Sequence, residues 1–247
     1  MLLDDIAHQG NWLFRWRSYV LLITVPIAFL TLRQGEPIEL LFGDRADFVY
    51  EAFCIVLAFT GLGIRAVTVG HAPAGTSGRN TRRQKADSLN TTGMYSLCRN
   101  PLYFGNAVIY MAVALFTQGI YFVIIMALLL VIYLERIIAA EEAFLSKKFG
   151  EQYSEWAQRV PVFFPRPTRW ERPSLPFSAR NVLRREYPGF FAIIAAFVVI
   201  EAFGDILFRG RLLYDPAWIG AFIAGASVYL ALLFLKKRTS LLKVQGR

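Results

Sequence analysis

The side chains able to bind or activate a small molecule fall into a few short stretches of an otherwise apolar chain. One reads Thr92-Gly93-Met94-Tyr95-Ser96-Leu97-Cys98-Arg99-Asn100-Pro101-Leu102-Tyr103-Phe104-Gly105-Asn106. Pro101 suits the first turn of a helix, where its missing N–H costs nothing, and Asn100 suits the N-cap before it. A helix N-terminus favours a carboxylate or a phosphate, and Arg99 adds a forked cationic donor beside it. The same residues also read as an ordinary capped entry into a helix. A second stretch runs from Glu135 through Glu141-Glu142 to Lys147, Lys148 and Gly150. Helical periodicity continues through it, Glu135 and Glu142 share one face, and Gly150 is a natural stop. Its plain alternative is a solvated helical extension. A third stretch, Glu151–Arg159, carries Tyr153 and Trp156 and leads into Arg159-Val160-Pro161-Val162-Phe163-Phe164-Pro165. That aromatic pair also suits an interfacial belt. Arg65, near the end of an apolar run, is either a clamp for an anionic group or a side chain snorkelling to the interface.

These stretches need elements to hold them, and the apolar runs supply the elements. A membrane-spanning helix takes roughly 20 mostly apolar residues. Six runs are candidates: Ser18–Leu32, Phe48–Gly70, Leu102–Thr117, Ile120–Ala140, Pro188–Phe208 and Ala217–Leu235. Trp12 and Trp16 flank the first as interfacial anchors. No small-residue cleavage site follows that run, so it reads as a retained anchor rather than a signal peptide. The expected fold is therefore an all-α polytopic bundle. Three parts are expected: an N-terminal anchor helix with its outer loop (1–47), a core (48–170) and a two-helix C-terminal extension (171–247).

Composition agrees with a membrane protein. Of 247 residues, 55% are hydrophobic and 18% charged, and the net charge is +9. A soluble domain has about 25% charged residues, so the composition argues against a soluble single-core enzyme. The positive charge is placed asymmetrically. Arg79, Arg82, Arg83, Lys85 and Arg99 follow the second span, nine Lys and Arg lie between Lys147 and Arg185, and Lys236, Lys237, Arg238, Lys243 and Arg247 end the chain. The loop from Arg33 to Asp47 instead holds Glu36, Glu39, Asp44 and Asp47. With both termini cytoplasmic, every basic segment lies inside. No nucleic-acid motif accompanies the basic loops, which read as topology signals and anionic-lipid contacts. Cys54 and Cys98 are too few for a disulfide framework and read as free thiols. Of the two histidines, His71 reads as a surface residue. Glu201 and Asp205, and Asp205 and Arg209, are spaced four apart, and structural pairing is the expectation for them.

In this order the stretches form a pattern: Gly-x-Tyr-x-x-x-Arg-Asn-Pro-x-Tyr-x-Gly, a helical hairpin, Glu-Glu-x-x-Leu-x-x-x-Phe-Gly-x-x-Tyr, then Arg-Val-Pro-x-Phe-x-Pro. This resembles the isoprenylcysteine carboxyl methyltransferase and phospholipid methyltransferase superfamily, over about Phe48–Pro167. The resemblance implies an integral membrane enzyme using S-adenosylmethionine (SAM). It implies methyl transfer to the polar end of a lipid or lipidated substrate, with the active site facing the cytoplasm. It places Tyr95, Arg99, Asn100, Pro101, Tyr103, Gly105, Glu141 and Glu142 at the cofactor, with Gly105 permitting close approach. No metal is expected. The family pattern usually has His at the position of Asn100, and Asn cannot act as a base near neutral pH. For the acceptor, Arg65 and Arg159 are candidate cationic clamps and Glu142 a candidate base. No soluble-type Gly-rich SAM fold is evident, and Gly61-x-Gly63 reads as helix packing. The alternatives are an NADPH-dependent steroid-type reductase, which shares Arg-Asn-Pro-x-Tyr, and a non-catalytic membrane protein on the same scaffold. The Glu-Glu-x-x-Leu segment favours the methyltransferase.

Overall fold

The computed structural model describes residues 2–17, 19–73, 75–76, 86–213 and 215–247, the side chains of 2–5, 7 and 8 excepted. Arg79, Arg82, Arg83, Lys85, His8 and the opening residue of the first expected span fall outside that description. Among the described residues the chain is all helical. Its elements are α1 (Leu2–Trp16), a 3₁₀ turn (Val20–Thr24), α2 (Val25–Leu32), α3 (Pro37–Phe42), α4 (Asp44–His71), α5 (Met94–Leu97), α6 (Pro101–Phe116), α7 (Ile120–Phe149) and α8 (Glu151–Arg159). After a second 3₁₀ turn (Pro167–Arg169) come α9 (Ala179–Gly204), which runs on through one π turn (Asp205–Arg209), and α10 (Pro216–Arg238).

Among the described residues four helices are long and apolar enough to cross a membrane, α4, α7, α9 with its π turn, and α10, or five if the bent pair at the start of the chain makes one span. The chain is thus an integral membrane protein. Two of the six expected spans take another form. The first is not one straight helix. The segments Gln9–Trp16 and Val20–Phe42 meet at 84°, Pro26 sits in the first turn of α2, and Gly35 adopts φ 78°. The third, α6, has 16 residues and is about 24 Å long, shorter than a hydrocarbon core of about 30 Å. The fourth and fifth expected spans extend beyond their apolar runs, since α7 continues to Phe149 and α9 starts at Ala179.

Small residues set the closest packing. A Cβ on Gly61 of α4 would lie 2.7 Å from the Gly105 carbonyl oxygen of α6. A Cβ on Gly105 would lie 2.7 Å from Arg65 Cγ. Next to this contact Cys54 and Ala58 (α4), Ala112 and Phe116 (α6), and Ile193 and Phe197 (α9) form one buried cluster. On the other side α1 packs along α7, with Phe14 against Tyr133, Leu134, Ile137 and Ile138. Asp205 and Arg209 pair as expected, Nε to Oδ1 at 3.5 Å, and Arg209 also binds Glu36 and Glu39 at 3.3 and 2.8 Å. That acidic end is opposite the end where α4 stops.

The C-terminal segment is fastened to α4 by polar contacts. Asn181 Nδ2 donates to the Val69 carbonyl at 2.8 Å, and the Ser178 amide to the Gly70 carbonyl at 2.9 Å. Arg247 donates to the carbonyls of Gly70 and Pro176 at 2.6 and 2.5 Å. His71, expected at the surface, is half-buried here, its Nδ1 2.9 Å from the Leu175 carbonyl.

Candidate active site

The stretch from Thr92 to Asn100 carries little regular structure of its own, so other segments must hold it. The strip from Val160 to Ser174 does so. Arg99 N–H donates to the Pro161 carbonyl at 2.8 Å and Arg166 N–H to the Leu97 carbonyl at 3.0 Å. Glu171 N–H donates to Ser96 Oγ at 2.9 Å. Asn100 stands at the N-cap position of α6, but its side chain does not cap. Instead Nδ2 donates to the Val162 carbonyl at 3.0 Å. Phe163 and Phe164 stack edge-on to Phe104, at 5.5 and 6.4 Å. The Pro-rich strip is therefore a staple over the Arg-Asn-Pro motif, beyond any interfacial role of its aromatic pair. Pro101 takes the first helical turn, as its type predicts.

Beneath this staple lies a cavity of about 620 Å³, within the range of small-molecule sites. Tyr95, Arg99, Asn100, Pro101, Tyr103, Glu141 and Arg65 all line it. Glu141 comes from α7, and its carboxyl meets the Tyr103 hydroxyl. Burial pushes the Tyr95 and Tyr153 phenols well above their usual range, so both remain protonated donors. The Cys98 thiol, also desolvated, is pushed up to about 12. Cys98 and Cys54 are both free and buried.

Gly105, Glu142 and Arg159 do not line the cavity. Gly105 does allow a close approach, but of α4, not of a ligand. Glu142 sits behind Arg99, its Oε1 3.2 Å from Arg99 Nη1, and so orients that guanidinium from outside. Arg159 is exposed; its Nε donates along its own helix to the Glu155 carbonyl at 3.2 Å, and its carbonyl accepts from Arg169. Arg65 does reach the cavity, but with its charge matched. Its Nε and Nη2 donate to the two Glu186 oxygens at 2.8 and 3.0 Å, and Nη1 donates to Asn106 Oδ1 at 2.7 Å.

Several lining residues were not selected from the sequence. Asn106 and Glu186 hold Arg65, Arg17 and Arg185 also reach the cavity, and Trp156 closes it from α8. Trp156 is 6% exposed, and its Nε1–H has no hydrogen-bond partner. A buried donor without an acceptor is costly, and the residue that carries it forms part of the cavity wall. The only sequence signal for Trp156 was its place on the apolar side of a short amphipathic helix. Glu186 gave none, because its partner lies 121 positions away.

Arg99 matches a carboxylate, Glu141 an ammonium or ribose diol, and Tyr95 with Trp156 an aromatic base. This is an all-helical membrane bundle with these groups gathered at one end of a short helix. Comparison with known proteins identifies it further. Residues 48–152 match the family described as phospholipid methyltransferase. The cobalt-zinc-cadmium resistance protein CzcN of Cupriavidus metallidurans is 31% identical over 158 residues, 63% of this chain and 67% of that protein. The nickel-cobalt-cadmium resistance protein NccN of Alcaligenes xylosoxydans xylosoxydans is 37% identical over 107 residues, 42% of this chain and 47% of that protein. The match thus spans about half the length of the latter relative. No solved structure matches. The chain belongs to the phospholipid methyltransferase family, a family of methyltransferases.

Proposed function

We propose that this protein transfers a methyl group from SAM to the polar end of a lipid or lipidated substrate at the cytoplasmic face of its membrane. The observation that carries this reading is the cavity under the Arg-Asn-Pro motif, where Arg99, Glu141 and Tyr95 converge and Trp156, whose N–H has no partner, forms part of the wall. SAM, when bound, supplies an electrophilic methyl carbon open to in-line displacement. The chain's own work is to hold, orient and exclude water. Arg99, backed by Glu142, binds a carboxylate. Glu141, with Tyr103, receives an ammonium or ribose hydroxyl. Trp156 donates its indole N–H and, with the staple, keeps water out. The basic end of the bundle, which carries Lys147, Lys148 and Lys236 to Arg238, is the cytoplasmic side by the positive-inside rule.

The relatives are named for metal resistance; the methyl-transfer reading rests on the family match and on the groups that line the cavity. Calorimetry on the purified chain in detergent tests the reading. Wild type binds SAM saturably, whereas Arg99→Ala and Glu142→Ala insert into the membrane and do not. Wild-type affinity in both variants overturns the site assignment. Saturable NADPH binding without SAM binding overturns the activity.

A further inference from the structure

The cavity is longer than a cofactor site alone requires. Its α6 wall runs from Pro101 to Val113, about 18 Å along the helix. The polar groups described above crowd the Pro101 end. The far end is lined by Ile109 and Val113 of α6 and by Ile193 and Ala196 of α9. Between the two ends, about 8 Å from Pro101, lies the Arg65–Glu186–Asn106 cluster. The far side of the cavity is thus built by α9. That helix lies outside residues 48–152, the part of the chain that matches the family.

Glu186 is 5% exposed and commits both its carboxylate oxygens to Arg65. A bidentate pair fixes a guanidinium in plane and direction. It also cancels the charge that Arg65 would otherwise present, so Arg65 offers only its remaining N–H groups to a ligand. Beyond Glu186 the lining positions of α9 are Ile193, which also packs into the core with Ala112 and Phe116, and Gly189, Ala192 and Ala196, which recur at helical spacing on one face. Their small side chains leave room beside α6 for a chain that bulky residues would fill.

We infer that α9 sets which acceptor is methylated. Glu186 is a positioning residue that holds Arg65 and Asn106 at the acceptor's polar end. The Gly189–Ala196 face and α6 take one extended hydrocarbon chain between them. The acceptor class is an amphiphile with a single long chain in the groove, its head stopping at the Arg65–Glu186–Asn106 cluster. This rests on the methyl-transfer reading for the head, and on geometry alone for the chain.

Two measurements on the full-length protein in detergent test it. The first follows tritiated methyl transfer from SAM into extracted membrane lipid. Glu186→Gln leaves SAM affinity within about twofold and raises the half-saturating lipid concentration about tenfold, the pattern of lost acceptor binding. The second uses a long-chain fatty alcohol with a diazirine near its tail end. Irradiation labels the Ile109–Val113 stretch, and Ala196→Phe lowers that labelling about fivefold relative to the lipid-facing Ile124–Val131 stretch, because the larger ring fills the groove. An unchanged half-saturating concentration in Glu186→Gln, or an unchanged labelling ratio in Ala196→Phe, overturns the inference. A wild type that binds no SAM overturns the methyl-transfer reading instead, and the photolabel then decides the groove by itself.

Discussion

Trp156 holds a buried indole N–H with nothing to receive it. Removing such a donor relieves the folded protein of an unmet hydrogen bond, which offsets the packing lost against Tyr153, while a bound acceptor that loses it forfeits about 0.5–1.5 kcal/mol. Trp156→Phe is therefore expected to leave the unfolding temperature unchanged or slightly raised and to weaken SAM binding several-fold, checked by calorimetry and thermal unfolding on one preparation. A drop in both together would mark Trp156 as packing only. At this scale the sequence was informative where chemistry and local order coincide. Tyr95, Arg99, Asn100, Pro101 and Tyr103 are neighbours in the chain and neighbours at the cavity. It was silent on Glu186, and it grouped Arg159 with residues of the cavity that Arg159 does not line, because a cationic side chain in a motif looks the same whether it turns inward or along its own helix. Asn100 shows the same limit: its type fits a cap, yet its amide serves the Val162 carbonyl.

Among the elements, α4 and α6 pack tightly at Gly61 and Gly105. Gly61→Leu would push a side chain against the Gly105 carbonyl, which is backbone and cannot swing away. Overpacking of this kind costs about 1–3 kcal/mol, so a lower unfolding temperature in detergent is expected. Gly63→Ala, with open space around its Cβ, is the control and leaves that temperature unchanged or higher. The reading of Gly61-x-Gly63 as packing therefore holds for the first glycine. Helix positions were legible because long apolar runs have few alternatives. The bend after α1 and the shortness of α6 were not, since apolar content reports burial in lipid or protein alike. Pro26 and Gly35 were visible, but their effect depends on what the flanking helices pack against.

Across the whole molecule, charge divides the two ends. Glu36, Glu39 and Asp205 surround Arg209 at one, and Arg99, Lys147 and Lys148 lie at the other. Asp44 and Lys147 are exposed, and both native thiols are buried. A membrane-impermeant maleimide applied to intact cells is thus expected to label Asp44→Cys at once and Lys147→Cys only after lysis. The reverse pattern would invert the orientation and move the cavity to the opposite face. The charge asymmetry was plain in the sequence. The docking of the C-terminal segment onto the end of α4, through Asn181, Ser178 and Arg247, was not, because backbone carbonyls at a helix end have no sequence signature.

The Arg65–Glu186 pair also has a history within each molecule's synthesis. Arg65 emerges 121 residues before its partner. At about 5–20 residues per second, that interval lasts about 6–24 s. During it a guanidinium sits in an apolar helix without its counter-charge, a state costing up to about 3 kcal/mol at the bilayer centre and less near an interface. Its place only two turns from the end of α4 lets it wait at the headgroups, with Asn106 arriving first. Assembly of the bundle is then drawn to completion by the late helix, and a nascent chain stopped before α9 is left with a marginal span that quality control can recognise.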